Sequence, residues 1–211
     1  MKKKSCFTLA VSVACCSLLL VGGGCITAKS QGYEYFALES VADDSPAATD
    51  LLDGGSFYVK QTEIPAYLDD PRIVTRAAVN QLQFAEFSRW SETLDKAITR
   101  VVANDLAAAF GSLNYSYYPN RIRSNNAFDV SITVQRFERL PDSTVIFVGS
   151  WRLFHDGEKK LILPLKETAT VNGVGYGSTV HAMSIVLGKV TARIAERLEE
   201  YLEDEAASET P

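Results

Sequence analysis

Apolar and polar positions change period several times along the chain, and each period predicts an element. Tyr35 to Leu38 reads as a short first strand, and Ser56 to Glu63 alternates as a second, ended by Pro65, which cannot donate to a ladder. Val74, Val79, Leu82, Phe84 and Phe87 fall in short groups between Ile73 and Phe87, predicting two short strands about a turn near Ala77–Asn80. From Ser91 the period lengthens. Leu94, Ala97, Ile98, Val101 and Val102 recur at three- and four-residue steps, Ser91 can cap the helix, Glu92 and Asp95 suit its dipole, and Gly111 can stop it. Phe128, Val130, Ile132 and Val134 then alternate with Ser131, Thr133 and Gln135 in a strand running to about Phe137. Thr144 to Phe154, β-branched and aromatic, predicts a central strand. Asp156-Gly157 is a hairpin signal, and Lys160 to Val171 returns, with Pro164 marking an edge or a bulge. Met183, Leu187, Val190, Ile194, Leu198 and Tyr201 stripe a last helix over Ser178–Leu202, with Lys189, Arg193, Glu196, Arg197 and Glu200 turned away.

These elements predict an α+β fold, a two-layer sandwich in which a single mixed, mostly antiparallel sheet carries two long helices on one face. Val41 to Gly55, with Asp43, Asp44, Pro46 and Gly54-Gly55, reads as a loop, and no internal repeat or second core is visible. The expected division is a signal peptide over 1–24, a tether over 25–32, one domain over 33–203 and an acidic disordered tail over 204–211.

Composition narrows the class. Hydrophobic residues make up 46% and charged residues 22% of 211 residues, a globular composition. Acidic side chains outnumber basic ones, 26 to 21, and three of the basic ones are Lys2, Lys3 and Lys4, so the body is more acidic than the whole and poorly suited to nucleic acid. All four cysteines, Cys6, Cys15, Cys16 and Cys25, lie in the first 25 residues, which leaves neither a disulfide framework nor a zinc-type spacing. Lys2–Lys4 form a positive start and Phe7 to Val21 an apolar run too short for a membrane span but right for an export signal. Gly22-Gly23-Gly24 directly before Cys25 resembles the lipobox of bacterial lipoproteins, in which the cysteine is acylated, although Gly22 stands where an aliphatic residue is usual. An ordinary cleaved signal is the alternative. Ile26 is unlike the aspartate of the inner-membrane retention signal, so the expected location is the periplasmic face of the outer membrane in a Gram-negative-type envelope.

No residue pattern predicts catalysis, a metal or a cofactor. His155 and His181 lack companions at ligand spacing and are expected to be solvated or capping. No G-x-S-x-G turn occurs, and Gly173-Val174-Gly175-Tyr176-Gly177 has the wrong spacing for a dinucleotide loop, which leaves a flexible connection. Asp69-Asp70 read as exposed turn residues before Pro71.

Two segments carry a resemblance. Pro65-Ala66-Tyr67-Leu68-Asp69-Asp70-Pro71-Arg72-Ile73-Val74-Thr75-Arg76 and Arg89-Trp90-Ser91-Glu92-Thr93-Leu94 resemble the P-x-Y-L-D-x-P-x-I-V-x-R and R-W-x-E-x-L signatures of the ABC-type transport auxiliary lipoproteins, whose best-known members serve the Pqi (paraquat-inducible) systems. Tyr35-Phe36-Ala37-Leu38 is similar to the family's opening strand, and Gly149-Ser150-Trp151 and the last helix follow in its order. Asp70-Pro71-Arg72 departs from the more usual Arg-Pro-Gln. The resemblance implies a non-enzymatic role with MCE (mammalian-cell-entry) domain proteins and ABC transporter components, moving phospholipids or other hydrophobic molecules between membranes. The chain would then be a docking piece held by lipid on Cys25, able to form a homo-oligomer. A periplasmic hydrophobic-ligand carrier or another envelope-assembly adaptor is the alternative.

Candidate partner contacts are Tyr67, Leu68, Pro71, Arg72 and Arg89, the aromatic, aliphatic and Arg types enriched at interface hot spots. Trp90 and Phe87 are expected instead to staple the helix start to the sheet, with Arg76 or Arg89 pairing Glu92.

Overall fold

The alternation that begins at Phe128 lies on β6 (Ala127–Arg139), and the sheet is assembled on that strand. The computed structural model describes residues 31–41, 52, 55–122 and 127–209. Within them follow, in order, β1 (Glu34–Phe36), β2 (Ser56–Val59), β3 (Arg72–Ala78), β4 (Gln81–Trp90), α1 (Leu94–Phe110), β5 (Tyr115–Tyr117), β6, β7 (Thr144–His155), β8 (Glu158–Thr170) and α2 (Gly175–Glu209). The leader, Cys25 and most of the 41–55 loop lie outside the described residues.

β7 runs antiparallel along one edge of β6, and β8 along the far edge of β7. The other edge of β6 is shared in succession. β2 pairs with Ala127–Val130, Glu63 bridges to Thr133, and β3 reaches it at Thr75 opposite Arg139. β4 returns antiparallel on β3, β1 joins the end of β4 in parallel, and β5 lies parallel to β2. One mixed sheet of eight strands results, its longest ladders antiparallel, with both helices packed on one face: the expected α+β fold.

Local chemistry explains the junctions. Asp156 and Gly157 both have positive φ, 52° and 79°, the type I′ geometry that matches strand twist in a two-residue hairpin. Gly111, at φ 61°, ends α1, and the N–H of Ser112 turns back to the Ala107 carbonyl at 3.1 Å. In β6 the register slips between Val134 and Arg136, a bulge at Gln135. The slip changes the phase of the alternation, so Val134 and then Phe137 face the helices while Glu138 points to the opposite face.

Several boundaries differ from the sequence reading. α1 starts at Leu94 with Thr93 in the extended N-cap position, not at Ser91, because β4 continues to Trp90 and the Ser91 N–H is taken by the Phe36 carbonyl at 2.8 Å. Pro164 lies on an edge strand as expected, opposite Ser150, but β8 reaches from Glu158 to Thr170. α2 continues to Glu209, so residues 204–209 are helix and not a disordered tail. Glu205 holds that end, accepting from the Tyr201 hydroxyl at 3.1 Å and lying 3.3 Å from His155 Nδ1.

Candidate docking site

Pro65 and Pro71 bracket a tight turn in which the Leu68 N–H donates to the Pro65 carbonyl at 2.9 Å and the Asp69 N–H to Ala66 at 3.3 Å. This geometry sends consecutive side chains to different places. Leu68, 2% exposed, belongs to the hydrophobic core, which corrects its reading as a surface contact: an apolar side chain in a loop flanked by core strands turns inward. Tyr67 is half-buried, and its hydroxyl donates to Oε2 of Glu138 at 2.6 Å.

Glu138 has no solvent exposure. Arg76 Nε at 2.8 Å and Arg136 Nε at 3.0 Å both donate to its Oε1. Burial works against the charged carboxyl, but the Tyr67 hydroxyl and the two guanidinium groups outweigh it and hold Glu138 below the usual glutamate range. Burial, together with the same contact, pushes the Tyr67 phenol up. Arg76 Nη1 also donates to the Val79 carbonyl, so this network ties the turn, the β3–β4 hairpin and β6 together. Arg76 therefore does not pair with Glu92. Arg100 does, from Nε at 3.1 Å and Nη2 at 2.7 Å, while also donating to the Leu38 carbonyl.

The two signature segments meet at one hydrogen bond, from the Trp90 N–H to the Pro71 carbonyl at 2.7 Å. Between them lies a cleft of about 270 Å³ lined by Asp69, Asp70, Pro71 and the run Trp90–Leu94. Trp90 is buried, as a staple of the helix start should be. Pro71 is exposed at the lip. Beside it, Asp70 Oδ1 accepts from the backbone N–H and Nε of Arg72, both at 2.8 Å, and Oδ2 from Nη2 at 2.7 Å. That fork, acting chiefly through the side-chain hydrogen bonds, lowers the Asp70 carboxyl to about 2. Asp70 is thus engaged, and Asp69 alone of the pair is exposed.

Arg72 lies directly opposite Arg89 in the β3–β4 ladder, a like-charge pairing that would be unfavourable without compensation. Asp70 supplies it on one side. On the other, the Arg89 guanidinium stacks 4.3 Å over the ring of Tyr33, and Arg72 lies 4.5 Å over Phe84. Of the five candidate contacts, Pro71 therefore lines the cleft, Arg72 adjoins it through its fork with Asp70, Arg89 stands on the outer face of β4, and Tyr67 and Leu68 serve the interior.

A second cleft, about 370 Å³, lies between β8 and α2, lined by Trp151, Leu163, Pro164, Arg193, Glu196, Arg197 and Glu200. Among the described residues no group of His, Cys, Asp and Glu is arranged to hold a metal ion. His181 is exposed on α2. His155 is neither solvated nor capping: it packs 4.3 Å from the Phe128 ring and faces Glu205. Glu138 and Tyr33 escaped the sequence reading because their partners are remote in the chain.

The profile of the family described as ABC-type transport auxiliary lipoprotein component matches residues 36–195. The fold is similar to the crystal structure of an uncharacterized protein (TM-score 0.67, 19% identity, covering 80% of this chain and 99% of that one). It is equally similar to that of a Xanthomonas campestris protein (TM-score 0.69, 15% identity, 83% and 99%). At such identities the likeness is one of fold alone. No curated protein matches the sequence.

Proposed function

The chain belongs to the family of ABC-type transport auxiliary lipoprotein components, and from that premise we propose that it is a non-enzymatic docking lipoprotein of an MCE-type transport system. It is held through acylated Cys25 at the periplasmic face of the outer membrane and receives an MCE-domain protein served by an ABC transporter, which moves phospholipids or other hydrophobic molecules between membranes. The observation that carries the reading is the meeting of the two signature segments in one place. The Trp90–Pro71 hydrogen bond and the Asp70–Arg72 fork fix the lip, where exposed Pro71 is a rigid ring and the adjoining, partly exposed Arg72 a planar donor. A prearranged lip of this kind suits protein recognition, since little side-chain freedom is lost on binding.

The alternative is a periplasmic hydrophobic-ligand carrier, which would need an apolar cavity larger than either cleft described above, about 270 and 370 Å³.

The test is affinity capture of the tagged chain from detergent-solubilised envelope, with partners identified by mass spectrometry beside a Cys25→Ala control. Recovery of an MCE-domain protein or an ABC permease, lost or reduced in the control, is the expected result. Recovery of cell-wall synthases, or of lipid without protein, would replace the reading with one of its alternatives.

A further inference from the structure

β1 pairs in parallel with the end of β4, Tyr35 opposite Arg89 and Phe36 opposite Trp90. Paired residues share a face. Phe36 and Trp90 turn toward the core, so Tyr35 and Arg89 turn away from it, as does Phe87 two residues earlier. Tyr33 completes the group, its ring 6.3 Å from that of Phe87 and 4.3 Å beneath the Arg89 guanidinium. Tyr33 and Tyr35 are 54% and 64% exposed, large values for aromatic side chains on a sheet. Among the described residues Arg89 makes no ion pair, so its donors remain available beyond the ring it covers.

We propose that this face, Tyr33, Tyr35, Phe87 and Arg89, lies against the headgroup layer of a phospholipid bilayer and sets the orientation of the domain on it. The inference rests on the anchored reading of Cys25. Two observations choose a membrane as the occupant. The first is reach: Tyr33 follows Cys25 by eight residues, and eight residues span at most roughly 29 Å when fully extended. A surface that starts at the end of so short a tether stays beside whatever holds the tether. The second is chemistry. Tyrosine, with an apolar ring and a polar tip, is the residue type that settles at membrane–water interfaces, and a guanidinium fork matches a phosphodiester. The body of the chain is acidic, so bulk charge does not draw it to the surface; the tether brings the patch there and the rings hold it.

The two natural tryptophans, Trp90 and Trp151, are both buried, which leaves the surface free for an added one. The full chain carrying Tyr35→Trp is reconstituted in phosphatidylcholine vesicles and in vesicles of dibrominated phosphatidylcholine, beside a chain carrying Ile162→Trp. Ile162 is also exposed, but it lies on β8, at the far flank of the sheet from β1. The added emission of Tyr35→Trp is expected to fall by about twofold or more on brominated lipid, as for an indole at headgroup depth, while that of Ile162→Trp is unchanged. No quenching at Tyr35, as a protein-binding role for the patch would give, or equal quenching at both positions, overturns the inference. Intact mass of the same samples reads acylation separately. An acylated chain without quenching leaves the anchored reading and removes this one; quenching on an unacylated chain does the reverse.

Discussion

Tyr67 and Glu138, 71 residues apart in the chain, meet in a 2.6 Å hydrogen bond beneath the turn that carries the first signature segment. Glu138 is fully buried and is also the acceptor for Arg76 and Arg136. Removing one member of a buried charged group leaves the others desolvated without compensation. Glu138→Gln is therefore expected to destabilise the fold by about 3 kcal/mol in urea denaturation. Tyr67→Phe, which keeps the ring and loses only the hydroxyl, should cost about 1.5–3 kcal/mol.

The same network gives the protein an acid limit. Glu138 has its carboxyl lowered in the folded state. Its contribution is complete above the unfolded glutamate value and is lost as pH falls through the folded one. Urea midpoints should hold steady at neutral pH and decline below about pH 4.5. In Glu138→Gln the decline should be shallower, and an identical slope in both proteins would show that Glu138 does not contribute.

Leu68 and Arg72, four residues apart, should behave oppositely. Leu68→Ala opens a cavity in the core and is expected to cost about 2–4 kcal/mol. Arg72→Ala should leave the thermal midpoint near that of the parent, since the Asp70–Arg72 pair is at the surface, and yet weaken recovery of the transport partner in affinity capture. Loss of the partner only where stability is also lost would move the contact away from the cleft.

Gly149 and Gly188 offer a second contrast. A Cβ on Gly149 would collide with the backbone oxygen of Thr133, in the ladder next to the β6 bulge. Gly149→Ala should cost about 2 kcal/mol or more, because a strand would have to shift. At Gly188, inside α2, the near atom is Cγ2 of the exposed Val41. That side chain can turn aside, and Gly188→Ala should be neutral or stabilising by up to about 1 kcal/mol through helix propensity. Thermal melts decide both.

Ending the chain at Glu203 removes Glu205, the partner of His155 and of the Tyr201 hydroxyl. The truncated protein is expected to be less stable by about 1 kcal/mol, with faster amide exchange from Leu198 onward. A dispensable tail would show neither change.

The sequence by itself determined the features that depend on neighbours a few residues away. The stripe from Leu94 to Val102, the stop at Gly111, the Asp156-Gly157 hairpin and the edge position of Pro164 follow from helix and strand periods, from φ preference and from the missing proline donor. The signature segments identified the family, and they come together at Pro71 and Trp90. What those segments do was decided only in the tertiary structure. Whether Leu68 faces water depends on the strands that flank its turn; which acid Arg76 finds depends on a bulge at Gln135 that turns Glu138 under Tyr67. Glu92 pairs with Arg100 because β4 runs to Trp90 and delays the helix. The 204–209 segment, polar enough to read as disordered, stays helical with Glu205 set beside His155 from a different hairpin. Each of these outcomes depends on which strands pair and in what register, and burial and charge pairing across the sheet then overrule the local preference of a turn or a tail.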